Sequence, residues 1–175
     1  TVTGYTPVGT IKFTVGSDRK ITVTEKSGAT VTGDASVDVT IDITNTVISN
    51  KITVTKTFSD NYDKATATFT VTNTDTKTEV KKATVTYSEN TFTVSDLPVG
   101  NYEITETVTG YTPVGTIKFT VGEDRVITVT EKSGATVTGD ASVDVTIAVT
   151  NTAVTNKITV SKSFSDNYDK ATATF

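Results

Sequence analysis

Residues 102–111 read YEITETVTGY, with Tyr102, Ile104, Glu106 and Val108 at alternate positions. On a β-strand such positions share one face. Three of the four are apolar, which marks the face turned to a core, and Glu106 is the exception on it. The same period of two extends outward through KITVTKTF (51–58), KATATFTVTN (64–73), KATVTY (82–87) and TFTV (91–94). It continues in NYEITETV (101–108), GTIKFTV (115–121), RVITVT (125–130) and SVDVTIAVTN (142–151). Turn-forming stretches separate these runs: SDNYD (59–63), SDLPVGN (95–101), GYTPVG (110–115) and EKSGATVTGD (131–140). No 3.6-residue pattern competes. The spacing predicts an all-β chain folded as an antiparallel β-sandwich, with Ile, Val, Phe and Tyr inside and Thr on the wet faces.

Composition supports strands and removes most chemistry. Thr makes up 43 of the 175 residues, and β-branched residues fit a pleated, half-buried surface. The chain has no Cys, Met, His or Trp. Disulfides, Cys/His zinc sites and any catalysis needing imidazole or thiolate are therefore excluded. A formal charge of −4 argues against nucleic acid as a partner. No apolar run approaches the roughly 20 residues needed to span a bilayer, so no membrane segment is expected. Nor is a signal peptide or sorting signal visible.

The chain repeats itself. TVTGYTPVGTIKFTVG occurs at 1–16 and at 107–122, and the match continues so that 1–69 aligns with 107–175 with nine differences. A period of 106 residues is too long for a solenoid and fits a string of whole domains. Linker-like NTVISNK (45–51) and NTAVTNK (151–157) mark the boundaries. On this reading 1–47 is the C-terminal part of one repeat, 48–153 is a complete repeat, and 154–175 begins the next. The chain would then be a segment of a longer array.

Polar residues recur on core-facing positions. The inward set of the first strand is Ile52, Val54, Lys56 and Phe58; that of the last is Val143, Val145, Ile147, Val149 and Asn151. A middle strand adds Glu106. The flanking segments carry Asn45 and Lys162 at the equivalent places. Each residue alone also fits a sheet-edge role, the lysine snorkelling and the amide capping a strand end. Together they suggest chemistry. A desolvated lysine becomes a neutral, nucleophilic amine, and a desolvated carboxylic acid can polarise a carboxamide and relay protons. Attack of Lys56 Nζ on the Asn151 carboxamide would expel ammonia and leave an isopeptide bond. Alternation also sets Asn73 inward, and periodicity does not choose between the two amides.

FTVSDLPVGNYEITETVTGY (92–111) resembles the E-box region of Cna protein B-type (CnaB), or prealbumin-like, domains of Gram-positive surface proteins and pilins. The family pattern is an aromatic, L-x-x-G, Y-x-L-x-E-T and a later G-Y; here Phe92, Leu97, Gly100, Tyr102, Glu106, Thr107, Gly110 and Tyr111 match it. Ile104 replaces the usual Leu, and Pro113 follows Tyr111 in place of an A-P after E-T. ITVTKTF (52–58) resembles the family's lysine strand and VTNT (149–152) its asparagine strand. The resemblance implies an Ig-like, prealbumin-like sandwich in tandem copies. It further implies that Lys56 and Asn151 form the bond with Glu106 as catalyst, while Asn45 and Lys162 are their equivalents in the flanking repeats, with partners outside this sequence. The expected function is a structural stalk or fibre module of an extracellular, cell-surface protein, with no enzymatic turnover and no cofactor. Its partners would be neighbouring repeats and a fibre or cell-wall assembly.

Three other readings compete with this one. A ligand-binding adhesin domain would use aromatic residues, yet these are 7% of the chain, and the copies are nearly identical. Thr arrays for binding ice or a crystal surface need a short regular period. Calcium at Asp60, Asn61 and Asp63 lacks the spacing of a twelve-residue EF-hand loop, so no metal is expected there.

Overall fold

The computed structural model describes residues 2–165, 172 and 174. Six short strands come first: β1 (Tyr5–Thr6), β2 (Lys12–Val15), β3 (Ile21–Glu25), β4 (Thr30–Thr32), β5 (Thr40–Asp42) and β6 (Thr46–Val47). Ten follow: β7 (Lys51–Phe58), β8 (Thr66–Asn73), β9 (Thr78–Thr86), β10 (Thr91–Ser95), β11 (Gly100–Val108), β12 (Tyr111–Thr112), β13 (Ile117–Val121), β14 (Ile127–Glu131), β15 (Thr136–Thr138) and β16 (Asp144–Ala153). The described residues contain no helix.

The last ten strands build a two-sheet β-sandwich. One sheet runs β10-β7-β16-β12 with β15 also paired to β16; the other runs β14-β13-β11-β8-β9. Alternation within each strand sends one set of side chains between the sheets. Ile52 and Val54, Phe69 and Val71, Tyr102 and Ile104, Ile117 and Phe119, and Val145 and Ile147 are all buried there. Phe69 of one sheet meets Phe92 of the other with ring centroids 5.4 Å apart.

Among the described residues pairing is antiparallel except between β7 and β16, which run parallel from Asp144↔Lys51 to Asn151↔Phe58. Parallel neighbours need a long connection. Here the connection is the rest of the sandwich, so its first and last strands end up side by side.

Sequence and structure differ at strand ends and in short strands. β9 begins at Thr78, four residues earlier than alternation predicts, because Glu79, Lys81 and Lys82 obscure the pattern. Charges of this kind suit a sheet edge, where they discourage pairing with another chain. β12 and β15 lie inside stretches read as turns; two or three residues are too few for alternation to register.

Candidate functional site

Lys56 and Asn151 lie on neighbouring parallel strands. Val149 pairs with Lys56 and Asn151 with Phe58, so all four side chains share the face turned to the core. Lys56 is 1% exposed and Asn151 is fully buried. Glu106 approaches from β11 in the opposite sheet. Asn151 Nδ2 donates to Glu106 Oε2 at 2.9 Å, and this bond spans the gap between the sheets.

The Val114 backbone N–H donates to the same Oε2 at 3.0 Å. Glu106 Oε1 and Asn151 Oδ1 are buried without a hydrogen-bond partner. Two such atoms in one site are costly, since a buried unsatisfied polar group forfeits its hydration. Lys56 Nζ donates to its neighbour's carbonyl, Thr57 O, at 2.6 Å and lies 3.9 Å from the centroid of the Phe58 ring. Burial holds its pKa below the ordinary lysine value, and the Glu106 carboxylate partly offsets that shift. A cleft of about 300 Å³, lined by Lys56, Thr57, Phe58, Asn61, Tyr87 and Asn90, opens beside the amine.

The amide nitrogen, and not its oxygen, faces Glu106. Oε2 accepts two N–H bonds, so Asn151 turns its nitrogen toward it. Asn73 is elsewhere. Its Oδ1 accepts from the Asp75 and Thr76 backbone N–H groups and caps the turn after β8.

Two supporting contacts escaped the sequence. Val114 acts through its backbone, which no side-chain pattern reveals. Tyr111 packs its ring 5.0 Å from that of Phe58, and its hydroxyl donates to Asp60 Oδ1. That bond, with burial and the charge of Asp60, pushes the Tyr111 hydroxyl up to about 12. Asp60, weighed as a calcium ligand, therefore anchors a tyrosine, while Asn61 Oδ1 accepts from Tyr87 at 3.3 Å. The second copy of this loop lies largely outside the described residues. Asn45 is half-buried; Lys162 is exposed, its Nζ 5.0 Å from the Phe164 ring.

Comparison with known proteins bears on the complete sandwich. Residues 50–135, just under half of the chain, match the SpaA prealbumin-like fold domain. No curated protein matches the chain in sequence. Among solved structures, the chain is similar to a C-terminal fragment of the pilus adhesin SpaC from Lactobacillus rhamnosus GG. The identity is 20%, the TM-score 0.53, and the match covers 90% of this chain and 74% of that one. An iodide-soaked form of the fragment gives 19% identity, TM-score 0.53, and 89% and 74% coverage. Against SpaC in its open conformation the values are 19%, 0.48, and 90% and 24%, so the chain spans about a quarter of that longer protein. Residues 50–135 are thus similar to the SpaA prealbumin-like fold domain, and the sandwich of β7 to β16 is a fold this chain has in common with the SpaC fragment.

Proposed function

We propose that this chain is a stalk or fibre segment of an extracellular surface protein, of the pilin or pilus-adhesin kind. Its complete sandwich is stiffened by a bond between Lys56 Nζ and Asn151 Cγ. The observation that carries this reading is a buried amine with a lowered pKa on the strand beside a buried carboxamide, which a carboxylate from the opposite sheet already holds.

The reaction balances within these three groups. Lys56 passes its extra proton to Glu106, leaving a neutral amine and a carboxylic acid. Protonated Glu106 becomes a donor, and the Asn151 amide turns to present Oδ1 to it, which makes Cγ more electrophilic. Nζ attacks Cγ. Glu106 then takes a proton from the new N–C centre and returns one to the departing nitrogen. The departing ammonia also takes up the proton that Lys56 first gave to Glu106, so it leaves as ammonium, with the cleft beside Lys56 as its exit, and Glu106 ends as the carboxylate it was at the start. The bond forms once, so the module is not an enzyme.

The mechanical consequence follows from topology. Tension entering at Lys51 runs along β7 to Lys56, crosses the bond to Asn151 and leaves at the end of β16. Strands β8 to β15 lie off that path and cannot be drawn out. Unlike a disulfide, the link resists reduction, which suits a chain without Cys.

Intact mass spectrometry tests this. The bonded chain should be lighter than its sequence by one ammonia, about 17 Da, and Glu106→Ala should restore the full mass. A wild-type chain at full mass would end the proposal.

A further inference from the structure

Gly4 and Gly110 occupy the same place in the 106-residue period, and both have a left-handed backbone, with φ of 76° and 81°. Their carbonyls do the same work. Ile48 N donates to Gly4 O, and Val154 N donates to Gly110 O, each at 2.9 Å. The turns are alike, but their surroundings are not. A Cβ on Gly4 would lie 2.4 Å from the Glu123 carbonyl oxygen, with Arg125 Cγ at 3.4 Å, whereas a Cβ on Gly110 would meet nothing within 4 Å.

The strand that follows Gly4's partner is also tied down. Ser49 Oγ donates to Asp96 Oδ1 at 2.6 Å. Asn50, 1% exposed, donates through Nδ2 to Leu97 O and accepts from Leu97 N through Oδ1, both at 2.9 Å. Arg125 Nη1 reaches the same Leu97 carbonyl at 3.3 Å. Ile48 is therefore fastened to the preceding segment and Asn50 to the sandwich, with only Ser49 between them. Domains on one chain move freely by default when a linker has slack. This linker has none.

We propose that successive repeats are docked and not hinged. The turn at Gly4, with linker residues 48–50, seats in a socket formed by Asp96–Leu97 and Glu123–Arg125 of the following repeat. Gly110 is the same plug at the far end, and its partner is the equivalent socket of the next copy. Thr155 and Asn156 stand where Ser49 and Asn50 do, and keep the hydroxyl and the amide. An array jointed this way is a rod of fixed twist, which a bond inside each repeat could not produce alone. The joint rests on the tandem arrangement and is independent of the Lys56–Asn151 bond.

The absence of Cys allows a unique label pair at Lys26→Cys and Lys81→Cys, both exposed, one on each side of the joint. Pulsed electron resonance on the full chain should give a single narrow distance. Gly4→Ala and, separately, Asn50→Ala should broaden it at least twofold. Gly110→Ala carries the same backbone strain without the contact and should leave the width unchanged. A broad wild-type distribution would overturn the joint. So would widths unchanged in both Gly4→Ala and Asn50→Ala, or equal broadening by Gly110→Ala. Lys56→Met should keep the distance narrow at full mass, so failure of the bond and failure of the joint are read separately.

Discussion

Residues 12–25 and 118–131 differ only at 17/123 and 20/126, and they fold into the same hairpin. β2 pairs with β3 as β13 pairs with β14, with the same bulge after Lys12 and Lys118. Burial separates them. Phe119 is 1% exposed and Phe13 is 58% exposed. β11 lies beside β13, and the sheet holding β7 and β16 covers it, while among the described residues no such layer packs on β2. The tail sharpens the contrast. ITVTKTF forms the central strand β7, yet ITVSKSF at 158–164 forms no strand, and Ile158 is 89% exposed where Ile52 is 1%. A hairpin needs only its own turn and register. A sheet-centre strand needs partners on both sides, and a core needs a second sheet.

The widest gap should separate Lys56 from Lys162. Lys56 and Asn151 stand 95 positions apart. By analogy with a disulfide, closing a loop of that length stabilises by about 4–5 kcal/mol through the unfolded chain. Guanidinium unfolding of Lys56→Met should show a loss on that scale, whereas Lys162→Met should leave the midpoint in place. Equal effects would erase the distinction between the two lysines.

Next comes the aromatic pair. Phe119→Ala should cost about 3–5 kcal/mol as a large core truncation, and Phe13→Ala less than about 1. Adding a copy of residues 48–106 ahead of Thr1 should bring Phe13→Ala into the range of Phe119→Ala. If Phe13→Ala stays cheap in the extended chain, 1–47 is not the remainder of a repeat.

The smallest effect is one of pH. In Asn151→Ala no bond can form, and Lys56 stays a buried amine with a lowered pKa. Between that value and the ordinary 10.5 the unfolded chain binds the extra proton and the folded chain does not. Stability therefore rises with pH across that window. Urea unfolding from pH 7 upward should show the rise in Asn151→Ala and lose it when Lys56→Met is added. A flat profile in Asn151→Ala would mean that Lys56 is not desolvated.

Much of this was legible in the residues. Alternation located β7 to its exact ends and β11 to within one residue, because both strands are buried on one face and wet on the other. It missed the start of β9, where charges mask the period, and missed β12 and β15, too short to have one. Lys56, Glu106 and Asn151 stood out as polar residues on apolar faces. Their mutual geometry did not, since the approach of Glu106 to Asn151 joins residues 45 positions apart through two different sheets.

The chain by itself determined the strands, their wet and dry faces, the repeat and the misfit polar residues, because side-chain alternation and turn chemistry act over a few neighbours. Tertiary structure decided the parallel seating of β7 beside β16, the turning of Asn151 toward Glu106, the Val114 N–H beneath it, and which of two near-identical hairpins has a core. Those depend on contacts between residues far apart in sequence, and a stretch as familiar as KFTVG is buried or bare according to what the rest of the chain brings over it.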